Sequence, residues 1–93
     1  MLDWTDRPPA ATFDLHGQRV LEAERSAEQF LRTQARVRPG AVVRLITGRG
    51  RLGGGAPVRT RTRTLLRRLR ESGQVVRDFV LEETEGSFLV RLQ

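Results

Sequence analysis

The spacing of apolar positions changes along the chain, and each change marks a predicted element. In "ATFDLHG", Phe13 and Leu15 alternate with Thr12, Asp14 and His16, a period of two that predicts a short strand ending at Gly17. From Gln18 to Val37 the period lengthens: Val20, Ala23, Ala27, Phe30 or Leu31, and Ala35 recur at steps of three and four. That is an amphipathic helix with its Glu and Arg residues toward water. "RPG" at 38–40 stops it. "AVVRLIT" (41–47) is β-branched and mostly apolar, which suits a central strand. After a glycine-rich stretch, Val58, Thr62, Leu65, Leu66 and Leu69 return to helical spacing, with Pro57 in the first turn and Gly73 as C-terminal cap. "QVVRDFVLEE" and "SFLVRLQ", joined around "TEG", read as an antiparallel hairpin.

The element order is therefore β-α-β-α-β-β. A two-layer α/β sandwich accommodates it, one mixed sheet with two helices on one side. Residues 1–10 ("MLDWTDRPPA") read as an irregular arm with one Trp to dock, and residues 11–93 as one domain. Ninety-three residues leave no room for a second core.

Composition narrows the function. The chain has no cysteine, which excludes a disulfide frame, a thiolate zinc site and a Cys nucleophile. No apolar run approaches the roughly 18 residues of a membrane span, and a cytoplasmic monomer is the default expectation. Seventeen basic residues, all arginine, stand against eleven acidic ones, for a net charge of +6. A small domain so basic points to a polyanion, most often nucleic acid. The bland reading, a GC-rich genome that favours arginine codons, would explain much of the preference of Arg over Lys, but not the excess or its location. Arg59, Arg63, Arg67 and Arg70 fall at steps of four, four and three on the second helix, flanked by Arg61 and Arg68, with no acid before Glu71. Within the helix nothing offsets their mutual repulsion, and tracking a phosphate backbone would relieve it.

"LITGRGRLGGGAP" (45–57) contains Gly48-Arg49-Gly50-Arg51-Leu52-Gly53, formally a dinucleotide-binding G-x-G-x-x-G. That fingerprint opens its helix at the glycines, whereas the helix here is expected only near Pro57, and the chain is too short for two mononucleotide-binding halves. No nucleotide cofactor is expected. Another reading is a phosphate cradle: Gly48 and Gly50 let backbone N–H groups come close, and Arg49 and Arg51 supply charge. A parallel strand–helix–strand unit also brings "DLHG" and "TGRG" to the same sheet edge, where open α/β sheets bind ligands. His16, the only histidine, stands there beside Asp14 as a candidate acid–base group. The structural reading of Asp14 is a cap for the adjoining turn. With one carboxylate nearby a two-metal site is not supported, and a single Mg2+ or Mn2+ on Asp14 is the metal option.

These motifs together, "FDLHG", helix, "LITGRG", glycine loop, "APVRTRTRTLL" and a terminal "GSFLVRL", resemble the small MutS-related (Smr) domain family over about residues 12 to 93. The family's first motif is Leu-Asp-x-His-Gly, with Phe13 here in place of leucine. Its second is His-Gly-x-Gly or Thr-Gly-x-Gly, here the threonine form at Thr47. The resemblance implies a nucleic-acid nicking endonuclease, acting on DNA or structured RNA. It puts Asp14 and His16 at the reactive centre, with Gly17, Thr47, Gly48, Arg49 and Gly50 beside them, while Arg51, Arg59, Arg63 and Arg67 are the candidate phosphate grips. Because histidine often stands where Thr47 does, a binding module without cleavage is the alternative expectation. With five aromatics, recognition of backbone or shape is expected over stacking of bases.

Overall fold

Four strands form one sheet in the order β1-β2-β4-β3, with two helices packed on one face. The computed structural model describes residues 3–48 and 55–93. The elements are β1 (Ala11–Asp14), α1 (Val20–Val37), β2 (Val42–Ile46), α2 (Gly55–Ser72), β3 (Val76–Leu81) and β4 (Ser87–Leu92). The anticipated α/β sandwich and element order are thus observed. β2 runs parallel to β1 and antiparallel to β4, and β3 pairs antiparallel with β4, so the sheet is mixed and β2 is central.

The core lies between sheet and helices. Ala23, Ala27 and Leu31 of α1 meet Val58, Leu65, Leu66 and Leu69 of α2 over Val43, Leu45, Phe88, Val90 and Leu92. The small Ala23 and Ala27 let the two helices approach closely, and contact between α1 and α2 is extensive. Phe88 is fully buried, but Phe13, Phe30 and Phe79 are only half-buried, more exposed than their apolar character suggests. Phe13 and Phe30 stack with ring centroids 5.1 Å apart.

α2 begins at Gly55, two residues ahead of the sequence expectation. Pro57 then still lies in the first turn, where N–H groups have no intrahelical acceptor and its missing donor costs nothing. Gly73 closes the helix at φ +70°, its N–H reaching the carbonyls of Leu69 and Arg70. The arm is more ordered than the sequence indicates. Trp4–Asp6 form a 3-10 turn held by a reciprocal Asp3/Asp6 capping box, and Arg7 donates to the Gly40 carbonyl at 3.4 Å. Among the described residues no helix is long and apolar enough to cross a membrane.

Candidate functional site

The carboxyl ends of β1 and β2 lie side by side, with Asp14 opposite Ile46 in register, and the ladder continues through Leu15 N–H to the Ile46 carbonyl. Leu15 is fully buried and anchors the chain as it leaves the sheet. The next residues turn sharply. The Gln18 N–H bonds the Leu15 carbonyl, and Gly17 occupies the third position at φ +84°, a type II requirement that favours glycine. Asp14 Oδ1 accepts the His16 backbone N–H at 2.8 Å. The carboxylate therefore caps the turn, as its structural reading has it, and fixes the main chain from which the imidazole projects. His16 itself is exposed.

Opposite His16 stands Gly48, at φ +83°. A Cβ built on Gly48 would lie 3.2 Å from His16 Cδ2, so the imidazole rests directly on this glycine. The first and second motifs meet there. The Gly48 N–H is not offered to a ligand, however, because it donates to the Gly86 carbonyl at 2.9 Å; the Thr47 N–H shares that acceptor at 2.8 Å. What Gly48 provides is room for the His16 ring. Thr47 is 1% exposed, its hydroxyl turned inward to the carbonyls of Gly48 and Gly86 at 3.2 and 3.4 Å. It shapes the loop and presents no group at the surface. Arg49, Gly50 and Arg51 lie outside the described residues.

The Gly86 carbonyl belongs to the β3–β4 turn, a third wall of the site that the sequence reading did not include. Glu85 adopts φ +62° in that turn, and its carbonyl accepts from Arg59 at 3.2 Å, bringing the start of α2 against the same corner. On the helix-free face of the sheet, Arg44 of β2 reaches across β4 to Glu82, at the end of β3. The pair is bidentate, Nε to Oε1 at 2.8 Å and Nη2 to Oε2 at 3.1 Å. Ser87 donates to the same Oε1 at 2.5 Å. The hydrogen bond from Arg44 holds the Glu82 carboxyl below its ordinary range, outweighing the opposing effect of partial burial. Arg44, Ile46, Gly48, Glu82, Thr84, Gly86 and Ser87 line a shallow groove of about 410 Å³, which shares Gly48 with the His16 contact. A sequence signal for this wall existed only as an Arg and a Glu on solvent-side positions of separate strands.

The arginines of α2 divide into two sets. Arg61 pairs with Glu24 at 3.2 Å and Arg68 with Glu28 at 3.3 Å, both on α1. The Glu28 carboxyl is held below its ordinary value, chiefly by its hydrogen bond to Arg32, with Arg68 adding to it. Arg70 pairs with Asp78 at 3.4 Å and lies 4.7 Å from the Phe79 ring centroid. The repulsion that seemed unrelieved within the helix is thus offset by acids on other elements at Arg61, Arg68 and Arg70, a correction to the one-dimensional view, but not at Arg63 and Arg67. Exposed pairs of this kind contribute about 0–1 kcal/mol each, so their main effect is on where charge remains. Among the described residues, Arg63 and Arg67 make no ion pair or hydrogen bond. Together with Arg59 they form a stripe leading away from the His16 corner.

No cluster of three or more metal-ligating side chains occurs among the described residues. Asp14 has one oxygen engaged by its turn, leaving Oδ2 as the carboxylate donor adjoining His16.

Comparison with known proteins bears on this arrangement. A family model described as the Smr domain matches residues 13–93. Among solved structures, the crystal structure of the Smr domain of Thermus thermophilus MutS2 is similar, with a TM-score of 0.73 and 27% sequence identity. The match covers 90% of this chain and 99% of that one. No curated protein matches the chain.

Proposed function

The chain belongs to the Smr domain family, and from that membership we propose that it nicks nucleic acid, hydrolysing phosphodiester bonds in DNA or structured RNA. The observation that supports this most is the packing of the sole histidine on Gly48 at the carboxyl edge of two parallel strands. Imidazole exchanges protons readily near neutral pH. In this reading His16 takes the proton from an attacking water or hydroxyl, or supplies one to the departing oxygen. Asp14 acts as a positioning residue: by holding the His16 N–H it fixes the main chain that carries the ring. Its Oδ2 would be the carboxylate ligand for a Mg2+ or Mn2+ ion, which would neutralise phosphate charge. With no gathered set of three such donors among the described residues, a multi-ligand protein cage is not supported. Arg59, Arg63 and Arg67 grip the phosphate backbone. Successive residues of that stripe are about 6 Å apart along the axis, a spacing suited to following a charged strand.

The test is incubation of the purified protein with supercoiled plasmid and with a structured RNA, with and without Mn2+. Nicking is expected, with a loss of about 10²-fold or more in His16→Ala. A His16→Ala variant that cuts as fast as the parent removes His16 from the chemistry. One observation favours the alternative of a binding module without cleavage: the Thr47 hydroxyl is buried and engaged, so Thr47 supplies no exposed proton-transfer group. That alternative predicts salt-sensitive binding to the same nucleic acids with no cut product.

A further inference from the structure

The groove that includes Gly48 contains a guanidinium held in place by a carboxylate. Arg44 lies on the helix-free face, and the Nε and Nη2 edge of its guanidinium is fixed by Glu82, which is itself held by Ser87. A bidentate pair sets the plane of the guanidinium as well as its position. The Arg44 side chain nonetheless retains 35% of its exposure, against 21% for Glu82. Leu89, the register partner of Arg44 on β4, is 7% exposed. Arg44 and Ile46 both line the groove, so the part of the guanidinium that stays exposed is open to it.

We propose that this outward face of Arg44 is a stacking platform for an unpaired nucleobase next to the scissile phosphate, with Ile46 completing the apolar floor. The inference rests on the nucleic-acid reading above and names the part of the substrate that the groove takes. Guanidinium planes stack on splayed bases much as aromatic rings do, and a preformed plane loses little freedom on binding. Glu82 offsets the charge of Arg44 and fixes its Nε and Nη2, so the proposal assigns the ligand contact to the face of the group rather than to its paired edge. Glu82 and Ser87 are positioning residues for that surface. The groove shares Gly48 with the His16 contact, so a base held there lies against the reacting corner. Substrates with an unpaired nucleotide at the cut are therefore favoured over continuous duplex.

The test uses the His16→Ala protein, to prevent cleavage, and two short single-stranded oligomers of equal charge, one with bases and one fully abasic. Each is made with deoxyribose and with ribose, which identifies the preferred strand. The base-containing oligomer is expected to bind about tenfold tighter. Adding Arg44→Lys, which keeps the charge and loses the plane, should bring the two affinities together without changing the abasic one. In the protein with Arg44 intact, the Ile46 methyl resonances should move upfield when the base-containing oligomer is added, a readout independent of any variant's folding. An unchanged base preference in Arg44→Lys together with unmoved Ile46 methyls overturns the platform while leaving nucleic-acid binding intact. Failure of both oligomers to bind while plasmid or structured RNA still binds overturns the platform alone; failure of all of these nucleic acids to bind overturns the proposed function, and the platform with it.

Discussion

Replacing Gly48 with Ala separates two effects that a single assay would confuse. The first is backbone strain: Gly48 sits at φ +83°, and an L-residue there costs roughly 1–2 kcal/mol. For a chain of this size that cost lowers Tm by about 4–8 °C per kcal/mol. The second is local, since the new Cβ would lie 3.2 Å from His16 Cδ2. His16 is exposed and its ring is free to move away, so the contact adds little to the stability loss but displaces the imidazole. Gly40→Ala is the matched control. Gly40 has nearly the same φ, +78°, but a Cβ there meets nothing within 4 Å. Both variants should lose similar stability by thermal or urea unfolding. Only Gly48→Ala should shift the His16 ring resonances, which are unambiguous because the chain has one histidine, and only Gly48→Ala should lose cleavage beyond its unfolded fraction. If Gly48→Ala leaves those resonances where they were, His16 does not depend on Gly48 and the juxtaposition is refuted.

Other outcomes follow from the same contacts. Arg63→Gln with Arg67→Gln should weaken nucleic-acid binding and reduce the steepness of its salt dependence by about 1.5–2 in log–log slope, as loss of two phosphate contacts requires. Arg61→Gln with Arg68→Gln, whose charges are held by Glu24 and Glu28, should have a smaller effect in the same titration. The Glu82 carboxyl is held below its unfolded value, so its stabilising effect is full above about pH 4.5 and is lost as pH falls through the folded value. Glu82→Gln should therefore flatten the acid side of a Tm-against-pH curve. Ala27 is fully buried between the helices, and Ala27→Leu should destabilise the fold by about 1–3 kcal/mol through overpacking, measured by urea unfolding.

Much of the fold follows from one-dimensional periodicity, because each element has one buried face. Ala23, Ala27 and Leu31 on α1, and Val58, Thr62, Leu65, Leu66 and Leu69 on α2, are spaced by the helical repeat itself, and each is buried. The meeting of "DLHG" with Gly48 was legible for a related reason: parallel strands joined through a helix have their carboxyl ends at one edge. The strand order was not legible, since the hydrophobic pattern of β4 records that it is buried but not which neighbours bury it. Only the assembled sheet set β4 between β2 and β3, and with it the Gly86 carbonyl beneath Thr47 and Gly48. The pairing of Arg44 with Glu82, and the division of α2 into held and unheld arginines, depend on side chains meeting across elements far apart in sequence. Periodicity is a local property and charge pairing a spatial one. The sequence alone therefore determined which residues could form the core and the candidate site, while tertiary packing decided which charges remain unpaired and what stands beside His16.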